Sequence, residues 1–298
     1  MNPAPALTLS GWTRLGRAAS YLALTKPRII ELLLVTTVPA MVLAAGRWPG
    51  TWLVIATLIG GSLSAGGANA LNCYFDRDID GIMRRTSRRP LPNEDISPES
   101  ALRFGTALGI GGFLWLAAFV NLTAALTASA ALGFYVFVYT RWLKRTTSQN
   151  IVIGGAAGAA PALVGWAAVQ GRIAFPAWVL FAVVFYWTPP HFWALALRYQ
   201  KDYESAGVPM LPVVRGVGIT TRQMVLYAGL TALVSLLLVP VAGMGWLYLL
   251  ASIGLGVWFV AETWAVHRDP GRAMVLFTRS TYYLALLSAV VVIDVLIR

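Results

Sequence analysis

The chain has 298 residues, of which 58% are hydrophobic and only 12% charged, and its mean hydropathy is +0.68. A soluble globular core does not need so much apolar sequence, so the composition excludes a soluble enzyme and predicts an all-α polytopic membrane protein. The formal net charge of +11 does not indicate nucleic-acid binding, because no basic soluble domain is present to carry it. We interpret it as a consequence of membrane topology and of an anionic partner at one membrane face.

Hydropathy and helix-breaking residues divide the chain into nine predicted spans. They are 29–46, 51–75, 101–120, 123–142, 150–169, 174–197, 220–240, 246–265 and 276–296. Cytoplasmic loops are enriched in Lys and Arg. If the N-terminus lies in the cytoplasm, every Lys and Arg except Arg47, Arg172 and Arg298 falls on the cytoplasmic side. The sequence therefore predicts nine transmembrane helices around a central cavity, with a cytoplasmic N-terminus and an external C-terminus.

The predicted domain organisation is simple. Residues 1–28 form a cytoplasmic segment, and residues 29–298 form a single intramembrane domain. Four spans separate the acid that ends the second span, Asp76, from the acid that ends the sixth, Asp202. An even number of spans returns the chain to the same side, so both acids face the cytoplasm. The spacing suggests four-helix halves at 29–145 and 146–268, followed by a ninth helix.

An acidic segment closes the second span, which follows an uncharged stretch at 48–75. Asn72, Asp76 and Asp80 recur every four residues, and such positions stay on one face of a continuous helix. Asp78 points away from that face. Carboxylates four residues apart on a helix can bind the same small, hard cation, so the segment predicts a metal–diphosphate site. The alternative is a solvated acidic loop that pairs with the arginines after it.

The sixth span has a second unusual segment, at 186–212. Pro189 and Pro190 kink a helix and free backbone carbonyls, which is tolerated where protein or a cavity satisfies them. His191, Arg198 and Asp202 are spaced seven and four residues apart, so they share one helical face. Asp202 is placed to close the predicted metal site from the opposite wall. Asp294, near the outer end of the ninth span, is predicted to be solvated.

These motifs resemble the UbiA superfamily of intramembrane prenyltransferases. The Asn72-x-x-x-Asp76-x-x-x-Asp80 pattern is similar to the first Asp-rich motif of the superfamily. Other segments are similar to its heme-farnesylating branch: Thr25-Lys26-Pro27-Arg28, Arg84-Arg85-Thr86, Arg89-Pro90-Leu91-Pro92, Tyr139-Thr140 with Lys144-Arg145, 187–195 and 202–212. The resemblance runs from about residue 20 to about residue 220. Many members have a second Asp four residues after the first in the later motif, whereas Ala206 stands there in this chain, which leaves fewer metal ligands.

The resemblance implies a reaction in which farnesyl diphosphate alkylates a vinyl group of heme B to give heme O, a step in heme A biosynthesis. It implies Mg²⁺ as the cofactor, held by Asp76, Asp80 and Asp202, with Asn72 as a ligand or an orienting amide. Heme B is then a substrate and heme A synthase a downstream partner. The implied location is a bacterial cytoplasmic membrane rather than a mitochondrial inner membrane. The cations implied for the diphosphate are Arg77, Arg84, Arg141, Lys144, Arg198 and Lys201.

His191 has two interpretations of equal weight. Its depth in the membrane suits a heme ligand or a partner to a heme propionate. It equally suits a structural histidine that bonds a carbonyl freed by the two prolines.

Three other functions stay open at this point. A related prenyltransferase would act on a quinone precursor or another aromatic acceptor, although the Pro189-Pro190-His191 segment argues against it. A CDP-alcohol phosphatidyltransferase also uses spaced aspartates, but 80–85 lacks the Ala-Arg of that pattern. A cation-coupled transporter would bury its acids near the bilayer midplane, whereas the acids here end predicted spans.

Overall fold

The computed structural model describes residues 16–298, and the side chains of 28–34 are not described. Regular structure in the described part is entirely helical. The helices are α1 (Arg17–Thr25), α2 (Pro27–Ala45), α3 (Thr51–Phe75), α4 (Arg77–Ile82), α5 (Pro98–Phe119), α6 (Leu122–Thr146), α7 (Asn150–Gln170), α8 (Phe175–Arg198), α9 (Gln200–Ser205), α10 (Leu211–Ala242), α11 (Trp246–Arg268) and α12 (Pro270–Ile297).

Within the described residues, eight helices are long and apolar enough to cross a membrane: α3, α5, α6, α7, α8, α10, α11 and α12. The prediction of an all-α, polytopic membrane protein is confirmed. The remaining predicted span, 29–46, coincides with α2, whose described apolar part is Val35–Ala45. The count of nine spans and the orientation of the termini stay predictions. Most of the predicted cytoplasmic segment, residues 1–15, lies outside the described residues, and the division into two halves also stays a prediction.

Asn121 separates α5 from α6 in an apolar stretch without charges. Its Oδ1 accepts a hydrogen bond from the Ala124 N–H at 2.8 Å, so it caps the N-terminus of α6. Its Nδ2 donates to the carbonyls of Ala167 and Ala168, which ties this turn to the end of α7. The helix boundary predicted near residue 121 therefore depends on one polar side chain.

The seventh predicted span is shorter than the helix observed. Helix α10 begins at Leu211, with Pro212 in its first turn, where a missing N–H costs no helical hydrogen bond. Gly216 interrupts the helix with φ +75°, a conformation that favours glycine. The turn before 220 is therefore a kinked helical extension, which a hydropathy window does not detect.

The long helices form a closed ring in which successive members pack together. The order is α2, α3, α5, α6, α7, α8, α10, α11 and α12, and α12 returns to α2, which also packs against α7. Small residues permit a close approach between α3 and α5. A Cβ atom added at Gly67 would lie 2.7 Å from both the Gly105 carbonyl oxygen and the Gly109 nitrogen.

A cavity of about 290 Å³ lies within the ring, bounded by α2, α3, α6, α7 and α8. On α3 its lining runs from Asn72 to Thr57, which corresponds to about 22 Å along the helix axis. Charged side chains line only the end near Asn72, and the remainder is lined by apolar and hydroxyl side chains. The fold thus places the acidic segment of the sequence at the polar end of an elongated intramembrane cavity.

Candidate active site

The acidic segment lies where α3 meets α4. Asp76 interrupts the helix for one residue, with φ −92° and ψ 2°. Its N–H still donates to the Asn72 carbonyl at 2.9 Å, and the Asp80 N–H donates to the Asp76 carbonyl at 2.8 Å. Because this i to i+4 connection persists, Asn72, Asp76 and Asp80 remain on the inner side of the junction, and all three are buried.

Asp76 has no exposed surface, and its charge is balanced from α6. Oδ2 accepts hydrogen bonds from Lys144 Nζ at 2.5 Å and from Asn72 Nδ2 at 2.7 Å. The Arg145 guanidinium lies 3.7 Å from Oδ1, too far for a hydrogen bond. One carboxylate oxygen is therefore fully engaged, and the other accepts no hydrogen bond from a described residue.

Asp80 has the same asymmetry. Its Oδ2 accepts a hydrogen bond from Arg89 at 2.7 Å, and its Oδ1 accepts none from the described part of the chain. Burial would lower the pKa of Arg89, but the neighbouring Asp80 carboxylate outweighs it and raises that pKa. Buried carboxylate oxygens without a partner are costly unless a ligand satisfies them. Two such oxygens on neighbouring turns fit the oxygen ligands that a hard divalent cation takes.

Asp78 lies on the opposite side of α4, as predicted from the spacing. Its side chain is 59% exposed and forms a two-pronged ion pair with Arg145, with both N–O distances at 2.7 Å. These hydrogen bonds lower the pKa of Asp78 to about 2. Asp78 is therefore a surface carboxylate that helps to hold α4 against the end of α6.

Asn72 is the centre of the polar network. Its Nδ2 donates to Asp76 Oδ2 and, at 3.0 Å, to Thr140 Oγ1, and its Oδ1 accepts from Lys26 Nζ at 2.7 Å. Lys26 joins α1 to α2 with φ +53°, a conformation that a non-glycine residue rarely adopts. Burial lowers the pKa of Lys26. Such backbone strain is typical of functional sites, and here it accompanies an ammonium group that lines the cavity.

Asp202 does not join the other two acids in one cluster. It is half-buried on α9, and its Oδ2 accepts a hydrogen bond from the Arg85 backbone N–H at 3.2 Å. The Arg85 side chain donates to the Tyr203 hydroxyl at 3.0 Å. No group of three or more His, Cys, Asp or Glu side chains in the described chain is close enough to hold a metal ion. The structure thus brings Asp202 into contact with the loop after α4, and not with Asp76 or Asp80 themselves.

The predicted diphosphate cations divide into two groups. Lys144 lines the cavity and bonds Asp76. The others are exposed, and the cavity lining does not include them: Arg77, Arg84, Arg141, Arg198 and Lys201. Two of these lie over aromatic rings at the end of α3, with Arg77 4.6 Å from the Tyr74 centroid and Arg141 5.1 Å from that of Phe75. Their roles as diphosphate ligands stay predictions.

Three cavity-lining cations were not among those predicted: Lys26, Arg85 and Arg89. Each belongs to a segment that carried the family resemblance, which was the available signal. Spacing alone did not identify them. Lys26 reaches Asn72 across 46 residues, and Arg85 reaches Asp202 across 117 residues.

Aromatic side chains line the cavity next to the acids. Tyr135 and Tyr139 stack with centroids 5.4 Å apart on a π-helical stretch of α6, Phe134–Leu143. Trp187 and Phe192 contribute from α8. Aromatic faces attract cations and exclude water, so this part of the cavity suits a reactive carbocation.

His191 does not line the cavity. Its ring is stacked between Trp187 and Phe277, with centroid distances of 4.3 and 4.4 Å, and Nδ1 lies 2.8 Å from Ser280 Oγ. Both ring faces and one nitrogen are engaged in contacts with α8 and α12. This geometry favours the structural interpretation, although the partner is a serine hydroxyl and not a carbonyl freed by the prolines.

A family model described as the UbiA prenyltransferase family matches residues 33–289, which is most of the chain. The chain belongs to the UbiA prenyltransferase family. Membership accounts for the helical ring, and it makes the chain an integral membrane protein and a prenyltransferase.

Several curated UbiA relatives are similar over nearly their whole length. The protoheme IX farnesyltransferase of Clavibacter michiganensis subsp. michiganensis is 53% identical over 286 residues, which cover 94% of this chain and 94% of that protein. The protoheme IX farnesyltransferase of Gloeobacter violaceus is 53% identical over 277 residues, which cover 92% of this chain and 91% of that protein.

Solved UbiA structures share the fold at low sequence identity. A structure of digeranylgeranylglyceryl phosphate synthase has a TM-score of 0.77 at 17% identity and covers 95% of this chain and 100% of that chain. A UbiA homolog from Archaeoglobus fulgidus bound to DMAPP and Mg²⁺ has a TM-score of 0.69 at 15% identity, with coverage of 91% and 99%. At such identities the similarity is evidence for the fold alone.

Proposed function

We propose that this chain transfers the farnesyl group of farnesyl diphosphate to a vinyl group of heme B, giving heme O. The observation that carries the proposal is the pair of buried, unpartnered carboxylate oxygens, one on Asp80, which lines the polar end of an apolar cavity, and one on Asp76, a helical turn before it. That arrangement suits a metal-bound diphosphate at the membrane surface with its prenyl chain in the cavity. The choice of heme as acceptor rests on the protoheme IX farnesyltransferases that are about half identical to this chain.

Mg²⁺ fits the donor set, and the fold relative from Archaeoglobus fulgidus was solved with Mg²⁺ bound. Asp76 and Asp80 would hold it through their free oxygens, and Asn72 would orient Asp76 through the amide hydrogen bond. When bound, the ion draws charge from the diphosphate leaving group. Asp202 would act from the opposite wall on a second ion or on the same diphosphate, because Ala206 leaves it without a partner acid.

The cations of the cavity balance the charge that develops as the C–O bond to the diphosphate breaks. Lys26, Arg89 and Lys144 are each held by Asn72 or by an aspartate, so their positions are set before substrate binds. Charges fixed in place beforehand stabilise a transition state without reorganisation. Arg85 at the cavity mouth adds a cation beside Asp202.

The cavity dimensions separate the two substrates. A volume of about 290 Å³ is at the small end of ligand pockets, so we assign the cavity to the isoprenoid chain and place the porphyrin at its opening. Heme B then presents only its vinyl edge to the allylic carbon. The aromatic faces of Tyr135, Tyr139 and Trp187 stabilise the allylic cation and keep water away until the vinyl carbon has attacked. Water adds afterwards, at the carbon of the vinyl group that becomes positive.

Overproduction of the chain in a bacterium that makes heme B and farnesyl diphosphate tests the acceptor. We expect a heme heavier by one farnesyl group and one hydroxyl group, detected by mass spectrometry of extracted hemes. The matched control is the Asp80→Asn variant, expressed to the same level, which should yield none. A prenylated aromatic acid with unchanged heme would contradict the proposal and favour a UbiA enzyme of quinone synthesis.

The membrane and the downstream partner belong to the same proposal. We place the chain in a bacterial cytoplasmic membrane, with farnesyl diphosphate supplied from the cytoplasm. Heme O is then the substrate of an oxidising enzyme such as heme A synthase.

A further inference from the structure

Thr140 ends a hydrogen-bond chain that passes through Asn72 to the acidic junction. The Thr140 hydroxyl donates to the Tyr135 carbonyl at 2.8 Å, and its oxygen accepts from Asn72 Nδ2 at 3.0 Å. Thr140 has no exposed surface, and Asn72 is 3% exposed. The bond between them is therefore shielded from bulk water.

The hydroxyl of Thr140 acts with Asp76 and Lys26 to orient the Asn72 amide. Because the hydroxyl proton is committed to the Tyr135 carbonyl, the Thr140 oxygen can only accept. Asp76 Oδ2, the second neighbour on this side, is also an acceptor. The NH₂ group of Asn72 must face both of them, so the amide oxygen faces Lys26 and the cavity. The reverse orientation would place the amide oxygen against two acceptors.

The π-helical stretch of α6 is what gives Thr140 this geometry. Elsewhere in the chain, threonine hydroxyls such as those of Thr57, Thr127 and Thr188 donate to the carbonyl four residues earlier. Thr140 instead donates to the carbonyl five residues earlier, in the wider turn of Phe134–Leu143. Such turns are rare and often occur at functional sites. The turn fixes the hydroxyl on α6 next to Asn72 on α3.

We propose that Thr140 is a positioning residue for prenyl transfer: it holds the Asn72 amide with its nitrogen toward Asp76 Oδ2 and its oxygen toward Lys26, and so orients the Asp76 carboxylate whose other oxygen would take the divalent cation. This inference rests on the proposed function, because it assigns a role within the metal–diphosphate site. Without the hydroxyl, one Asn72 N–H is buried without an acceptor, and a main constraint on the amide orientation is lost. Residues that orient metal ligands typically change metal affinity by about 10–100-fold when they are removed.

Two substitutions separate the hydroxyl from the methyl group of Thr140. Thr140→Val removes the hydroxyl and keeps the volume, and Thr140→Ser keeps the hydroxyl and removes the methyl group. Binding of farnesyl diphosphate to the purified, full-length chain is measured by calorimetry as Mg²⁺ is varied. We expect Thr140→Val to weaken the Mg²⁺-dependent affinity about tenfold. Thr140→Ser should remain within about twofold of the wild type, because it keeps the bond to Asn72.

A loss of Mg²⁺-dependent affinity in Thr140→Ser with none in Thr140→Val would show that Thr140 acts only by packing, and it would overturn the proposal. Equal affinities for Thr140→Val and the wild type would also overturn it. If Thr140→Val does not fold, Thr140→Ala supplies the variant without a hydroxyl. In an Asn72→Ala background, Thr140→Val should cause no further loss, because Thr140 acts through Asn72. If Thr140→Val lowered the affinity as much in the Asn72→Ala background as in the wild type, Thr140 would not act through Asn72.

The binding experiment does not involve heme, so it distinguishes this inference from the acceptor assignment. A wild-type chain that binds farnesyl diphosphate with Mg²⁺ but makes no heme O would refute the acceptor and leave the role of Thr140 intact. A wild-type chain without Mg²⁺-dependent binding would overturn both.

Discussion

Asp76, Asp78 and Asp80 are neighbours in sequence with different surroundings. Asp76 and Asp80 are buried, and each has one free oxygen near or at the cavity. Asp78 is exposed and fully paired with Arg145. Its lowered pKa means that the pair contributes fully above the ordinary pKa of 3.8 and is lost only as the pH falls through about 2. The three acids therefore differ in burial and in the partners of their oxygens.

The first prediction follows from these contacts. Asp76→Asn and Asp80→Asn should each reduce turnover by at least about 100-fold, because each would remove a proposed charged metal ligand that stabilises the leaving group. Asp78→Asn should have a much smaller effect. Turnover is measured on purified variants with saturating Mg²⁺, and insertion is checked by membrane fractionation. Equal sensitivity of Asp78 and Asp76 would contradict the arrangement of the acids around the junction.

His191 gives a second prediction at this scale. His191→Ala should lower the thermal midpoint of unfolding, because it empties a site packed between Trp187 and Phe277. Heme affinity and the heme absorption spectrum should not change. The control is Phe192→Ala, which alters the cavity lining. It should lower turnover and change the thermal midpoint less than His191→Ala does. A loss of heme affinity in His191→Ala at unchanged stability would restore the heme-ligand interpretation.

At the scale of helices, the contact between α3 and α5 is the most extensive in the described part of the bundle. Gly67→Ala should destabilise the protein by about 1–3 kcal/mol, because the added methyl group meets backbone atoms of α5 that cannot move aside. Gly111→Ala is the matched control on α5, since no atom lies within 4 Å of the added Cβ. Thermal unfolding in detergent compares the two. Equal midpoints would show that the helices separate easily.

Helix positions were predictable because hydropathy and helix caps are local. The bounds of α3 and α7 match the predicted spans within one residue, and the one-face spacing of Asn72, Asp76 and Asp80 is retained in the structure.

The prediction that Asp294 is solvated is wrong. It is buried and accepts hydrogen bonds from the N–H groups of Gly245 and Tyr248, so α12 caps the start of α11. A cap supplied 49 residues away leaves no local pattern.

The network around Asn72 was unpredictable for two physical reasons. Its bonds to Lys26 and Thr140 join distant segments, which periodicity within one helix does not relate. The π-helical stretch also changes the angular register of α6 after Phe134, so an α-helical projection misplaces the side chains that follow. The family resemblance marked these segments but not their contacts.

For the whole molecule, the charge distribution predicts where the ends of the chain lie. Two reporters are fused at each position, one that is active only in the cytoplasm and one that is active only outside. After Arg88 only the cytoplasmic reporter should be active, and after Arg298 only the external reporter, because nearly all Lys and Arg lie on one side of the predicted spans. Both reporters are assayed in intact cells. Activity of both fusions on the same side would contradict the count of nine spans.

The ion pair between Asp76 and Lys144 has a consequence for biogenesis. Asp80 pairs with Arg89, which is nine residues later in the chain. Asp76 pairs with Lys144, which is synthesised 68 residues and two membrane spans later. A carboxylate without its counter-ion is too costly to bury. While α5 and α6 are still being synthesised, the end of α3 must therefore stay hydrated at the membrane surface. The nascent chain acquires its closed polar site only when α6 arrives, so a partly inserted chain lacks the complete site.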